Sequence, residues 1–92
     1  MNGTKIILNS VSGYTPSQAP ILVTVLEDGL SLFCAVGKDC GQWEEAMDDL
    51  CEQRGGKALD VVTTCHPGET PEEVMDFAKE WPAPGPIKCV TV

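Results

Sequence analysis

Ninety-two residues, 42% hydrophobic and 22% charged, fit one globular domain over residues 1–92 with a modest core, and they argue against a disordered chain. Fourteen acidic residues against six basic ones give a net charge of −8, which sets the surface against phosphate, so neither nucleic acid nor an anionic membrane is expected as a partner. No segment reaches transmembrane length, Ile6-Ile7-Leu8 is far shorter than the apolar core of a secretion signal, and five cysteines cannot all pair within one chain, so a cytoplasmic protein with reduced thiols is expected.

Lys5 to Asn9 reads as a first short strand, and Ser10 to Pro20, rich in Ser, Gly and Pro with one Tyr, reads as loop. The next stretch, ILVTVLEDGLSLFCAVG, has two apolar, β-branched runs around Asp28-Gly29, a dipeptide suited to the positive φ angles of a tight hairpin turn. The reading is therefore a hairpin in which Glu27 faces Leu30, Val25 faces Leu32 and Val23 faces Cys34, with strands apolar on both sides.

Asp39 is placed to cap a helix, with Gln42 three residues on for the return bond. Trp43, Ala46, Met47, Leu50 and Cys51 repeat at helical spacing along one stripe, Glu44, Glu45, Asp48, Asp49 and Glu52 form the opposite face, and Gly55-Gly56 stops the helix. Ala58 to Thr64 is the next strand. Thr70-Pro71-Glu72-Glu73 is a helix start, with Thr as cap, Pro at the first position and Glu at the third. Val74, Phe77, Ala78 and Trp81 are its buried stripe, Pro82 and Pro84 end it, and Ile87 to Val92 closes the chain as a strand.

The expected fold is thus α/β, bordering on α+β. It is a single mixed five-stranded sheet with two amphipathic helices, in the order β-β-β-α-β-α-β. The last three strands run parallel and both helices lie on one face.

Two stretches, AVGKDCGQWEEAMDD (35–49) and VVTTCHPGETPEEVMDFAKE (61–80), carry a resemblance. The chain resembles an uncharacterised family of small bacterial α/β domains with a Gly-x-Asp-Cys-x-x-Trp … Thr-Thr-x-His pattern, matched by Gly37, Asp39, Cys40, Trp43, Thr63, Thr64, His66, Phe77 and Ala78. That family carries Trp where this chain has Cys65, and a helix ahead of the Gly-x-Asp-Cys strand where a hairpin is read here. The resemblance implies architecture and candidate positions, and no activity.

The candidate chemistry gathers at the ends of two expected parallel strands, where α/β sheets place ligands. Pro67-Gly68 ends the strand at or near Cys65–His66, so Asp39, Cys40, Trp43, Cys65 and His66 are expected to share one rim, with Thr64 and Tyr14 as further ligand-binding candidates. Cys40 near a helix start would serve as a thiolate, His66 as its base and Asp39 as orienter or cap. The competing reading is structural: a small buried thiol and a histidine bonded to a loop. One His and no Cys-x-x-Cys leave no metal set, and no cofactor motif is present. Cys34, Cys51 and Cys89 read as core, and Trp43 and Trp81 as packing.

The function read from these residues is a small non-enzymatic binding or interaction module. It self-associates as a two-fold homodimer because two helices on one face leave an apolar sheet face bare. Two alternatives stand beside it: a small enzyme or ligand site at Cys40/His66, and an acidic nucleic-acid mimic that would occupy a partner with a basic surface.

Overall fold

The computed structural model of the chain describes residues 3–27, 29–82 and 85–92. Strand β1 (Thr4–Ser10) leads through a 3-10 turn (Pro16–Gln18) into helix α1 (Ala19–Glu27), and β2 (Leu30–Gly37) into α2 (Cys40–Arg54). A second 3-10 stretch (Gly56–Asp60) precedes β3 (Val62–His66), which is followed by α3 (Pro71–Glu80) and β4 (Ile87–Thr91). Among the described residues the sheet has four strands in the order β3-β2-β1-β4, and every pair is parallel.

The five-stranded mixed sheet is therefore corrected to four parallel strands, β-α-β-α-β-α-β, because the segment read as the hairpin's first strand is helical. β1 pairs directly with β2 in parallel, and such a pair needs a crossover of about a dozen residues rather than a tight turn. Within 19–27 Leu22 and Val25 are the buried residues, three apart on one helical face, and tertiary demand overrides β-branched propensity. The start of this turn is itself encoded. Pro16 opens it and the Gln18 side chain accepts the Thr15 N–H at 2.9 Å. A helix here is also what the resemblance implied. Of the expected turn pair, Asp28 lies outside the described residues, as does Pro84 in the expected helix stop.

The helices do not share a face. The steps β1 to β2 and β2 to β3 move one way across the sheet, and the step from β3 to β4 moves back past both. Right-handed crossovers in opposite directions place their helices on opposite faces. Ile6, Leu8, Phe33 and Ala35 pack with Leu22, Val25, Trp43 and Met47 under α1 and α2. The alternate strand positions Ile7, Leu32, Cys34 and Val36 pack with Val74 and Ala78 of α3.

The third strand lies later than expected, at Val62–His66 in place of 58–64, so the backbone is still extended at Cys65 and His66. One buried charge stands out in the core beneath α3: Lys5 Nζ donates to the carbonyls of Ala78 and Trp81, each at 3.0 Å, and so closes the C-terminal end of that helix.

Candidate functional site

All three crossovers leave from the carboxyl edge of the sheet, so the candidate residues collect there for a topological reason. Gly37 ends β2 at φ +93°, and a Cβ there would run into the Ser10 carbonyl, which also accepts the Lys38 N–H at 2.8 Å. Asp39 follows in the left-handed region (φ 59°), which Asp tolerates. It occupies the cap position of α2, yet its side chain makes no capping bond and the return bond from Gln42 is absent. Its Oδ2 instead accepts the Tyr14 N–H at 3.1 Å and ties two loops together. Trp43 is fully buried, donates Nε1–H to Ser10 Oγ at 2.9 Å, and takes the edge of Tyr14 at a centroid distance of 4.9 Å. Tyr14, Asp39 and Trp43 thus form one knot with Ser10.

Cys40 and His66 share that edge but not a face. Cys40 opens α2 and is buried beside Trp43 and Met47. Cys65 pairs with Ala35, is half-buried on the same side, and its thiol is pushed up first by desolvation and then by the neighbouring Glu44 carboxylate. A thiol so held stays protonated at neutral pH, the opposite of activation. His66 pairs with Val36 and points to the α3 side, where Phe77 packs against its ring at 4.9 Å. The sheet stands between the imidazole and both thiols, because β3 is still extended at these neighbouring residues.

His66 has other partners. His66-Pro67-Gly68-Glu69 forms a turn closed by Glu69 N–H donating to the His66 carbonyl at 3.3 Å, with Gly68 at φ +78° as the second central residue requires. The turn brings Glu69 Oε2 to 2.9 Å from His66 Nδ1, and Nε2 lies 2.9 Å from Thr64 Oγ1. Nδ1 faces the carboxylate and Nε2 faces the Thr64 hydroxyl, which also donates to the Phe33 carbonyl at 3.4 Å, so hydroxyl, imidazole and carboxylate form one chain. Beyond the turn, Thr70 Oγ1 accepts the Glu73 N–H while Glu73 Oε1 accepts the Thr70 N–H, so α3 begins on the box its sequence announces. Chemically this chain orients an imidazole and consumes both its nitrogens. Glu69 was not among the sequence candidates; its signal was the Pro-Gly turn that folds residue 69 back onto residue 66.

The opposite margin of the sheet is different in kind. Cys89, expected in the core, is exposed, and none of the five residues of β4 is buried: Ile87 and Val90 are half-covered, and Lys88, Cys89 and Thr91 are open. Beside it runs a groove lined by Pro71, Glu72, Met75, Asp76, Lys79 and Cys89. Among the described residues no group of three His, Cys, Asp or Glu side chains is placed to hold a metal ion, and no helix is long and apolar enough to cross a membrane.

Residues 7–89 match the model of a family described as Domain of unknown function (DUF7684). No curated protein and no solved structure matches the chain.

Proposed function

Because the chain belongs to the DUF7684 family, which is defined without a function, we propose from its geometry that it is a small non-enzymatic interaction module that self-associates. The observation that carries this reading is the bare margin at β4. A strand of an all-parallel sheet is ordinarily covered on both faces, and here it has no buried residue at all. The expected cause of dimerisation, a whole sheet face left open, is replaced by a narrower one, since α3 covers the second face at its centre.

The carboxyl edge supports the same conclusion. His66 spends both nitrogens inside the fold, and Cys65 is held as a thiol. The acids of α2 and α3 lie on opposite faces of the sheet, which does not favour one continuous phosphate-like surface. A basic protein partner remains compatible with the acidic surface, and a cytoplasmic, bacterial setting with the five free thiols and the resemblance.

Sedimentation equilibrium of the reduced full chain at micromolar concentration tests the reading. A mass rising with concentration towards twice 9.8 kDa is expected, and a strictly monomeric chain throughout the range refutes it.

A further inference from the structure

Resting on the self-association reading, we infer that the partner at β4 is a second copy of the same strand, added antiparallel about a two-fold axis through Cys89, so that two four-stranded sheets become one.

The backbone bonding of β4 fixes which groups are offered. The Pro86 carbonyl accepts from Lys5 N–H, Val92 N–H donates to the Asn9 carbonyl, and the Val92 carbonyl accepts from Val11 N–H. In a parallel ladder both polar groups of alternate residues point to the same neighbour, so the even positions of β4 are spent on β1. The N–H and C=O groups of Ile87, Cys89 and Thr91 therefore point outward, and no described strand lies there. Such a row is a template for another strand.

Self-pairing is favoured over an unrelated strand by two observations. Centred on Cys89, the antiparallel register matches all five residues. Cys89 exchanges both bonds with the partner's Cys89, and Ile87 with the partner's Thr91, while Lys88 stands opposite the partner's Val90. A register centred on Lys88 would instead oppose two lysines. The second observation is charge. α3 starts at the carboxyl edge and ends at the amino edge, so its groove has Glu72 at one end, Met75, Asp76 and Cys89 in the middle and Lys79 at the other. A two-fold axis at the middle brings the Lys79 end of each groove beside the Glu72 end of its mate, with Met75, Cys89 and the Asp76 carboxylate of each copy between. The two ends of the groove are complementary to one another.

Three variants of the full chain test this by sedimentation equilibrium under reductant. The Cys89 N–H faces outward, so Cys89→Pro removes two bonds from the seam, one from each copy, and none from the β1 ladder; the chain should keep its circular dichroism and become monomeric. Glu72→Lys should weaken the dimer roughly tenfold, and Glu72→Lys with Lys79→Glu should restore it, a recovery that a misfolded chain cannot give. Independently, diamide should trap the wild-type dimer. Opposed Cα atoms in such a pair lie about 5.5 Å apart, within disulfide range. The two Cys89 thiols give up two protons and two electrons to the diamide, which is reduced to its hydrazine, and Cys89→Ser should not be trapped. If Cys89→Pro does not fold, the charge swap and the trapping decide. A dimer that persists in Cys89→Pro, or ignores the charge swap and is not trapped, overturns the β4 seam while leaving self-association standing. A monomeric wild type overturns both.

Discussion

Replacing Lys5 by methionine measures what holds α3 in place. Lys5 is 5% exposed, and its ammonium donates to the Ala78 and Trp81 carbonyls at 3.0 Å each. Methionine keeps most of the volume, so the packing change is small and the polar change dominates. Two opposing effects then act. The variant no longer desolvates an ammonium, which by itself favours it. It also loses charge-assisted bonds of about 1.5–3 kcal/mol and the favourable placement of a cation at a helix C-terminus. The Ala78 carbonyl keeps a bond from the Trp81 N–H, at 3.2 Å, whereas the Trp81 carbonyl lies only partly buried and can recover water. The balance is a loss of about 2 kcal/mol, read as a lower urea midpoint at unchanged slope, or a fall in Tm of roughly 10 °C for a domain of this size. Lys38→Met, at an exposed position away from β4, serves as the control and should stay within about 0.5 kcal/mol of the parent. A Lys5→Met variant as stable as the parent, or more so, would refute the reasoning and mean that desolvation outweighs the two bonds.

The buried Trp43–Ser10 bond should appear as coupling in a double-mutant cycle. Trp43→Phe and Ser10→Ala are each expected to cost about 1–3 kcal/mol, and the pair less than their sum by about 1 kcal/mol; strictly additive losses would show that the 2.9 Å contact carries no energy. Stability should also fall on the alkaline side. Burial raises the Cys34, Cys51 and Cys65 thiols above the ordinary value of 9.0, so the folded chain holds those protons more tightly than the unfolded one. Their contribution is full below about pH 9 and is lost as pH rises through the folded values. Urea midpoints should drop from there upward and less steeply in Cys34→Ala, and equal slopes in the two chains would contradict the assignment.

How much of this was legible follows from where local signals and topology agree. Thr70-Pro71-Glu72-Glu73 announced α3, and the chain starts the helix at Pro71 with both bonds of the box. Trp43, Met47 and Cys51 marked the buried stripe of α2. The segment 19–27 misled because β-branched residues and a following Asp-Gly are strong local strand and turn signals, whereas its helicity is imposed by the parallel β1–β2 pairing, a non-local fact. That one element carried the errors of strand count, direction and layer with it. At the site, Gly37, Asp39 and Trp43 were placed at the carboxyl edge as the spacing implies. Cys65 and His66 were expected on a strand already ended, but β3 runs through both and sends their side chains apart. Asp39 was read as a cap by residue type. Its actual bond, to Tyr14, spans 25 positions and has no local signature.

Lys5, His66 and the open margin belong to one mechanical arrangement. An α-helix with its side chains is about 10–12 Å across, and four strands at about 4.8 Å spacing span more than that, so one helix cannot cover the whole face. Where it lies decides which margin is bare. Lys5, on β1, grips the end of α3, and Phe77 leans on His66, which the Glu69 turn holds at the end of β3. Both attachments hold the helix over β1 and β2, where most of its packing lies, with less of it against β4. β4 is left at the margin of that cover, with Cys89 open beside a groove and Ile87 half-covered against the core under α3. The buried polar groups, which looked from their chemistry like a site, act as fixings that hold α3 across the centre of the sheet, and the β4 margin beyond it is left open to meet another chain.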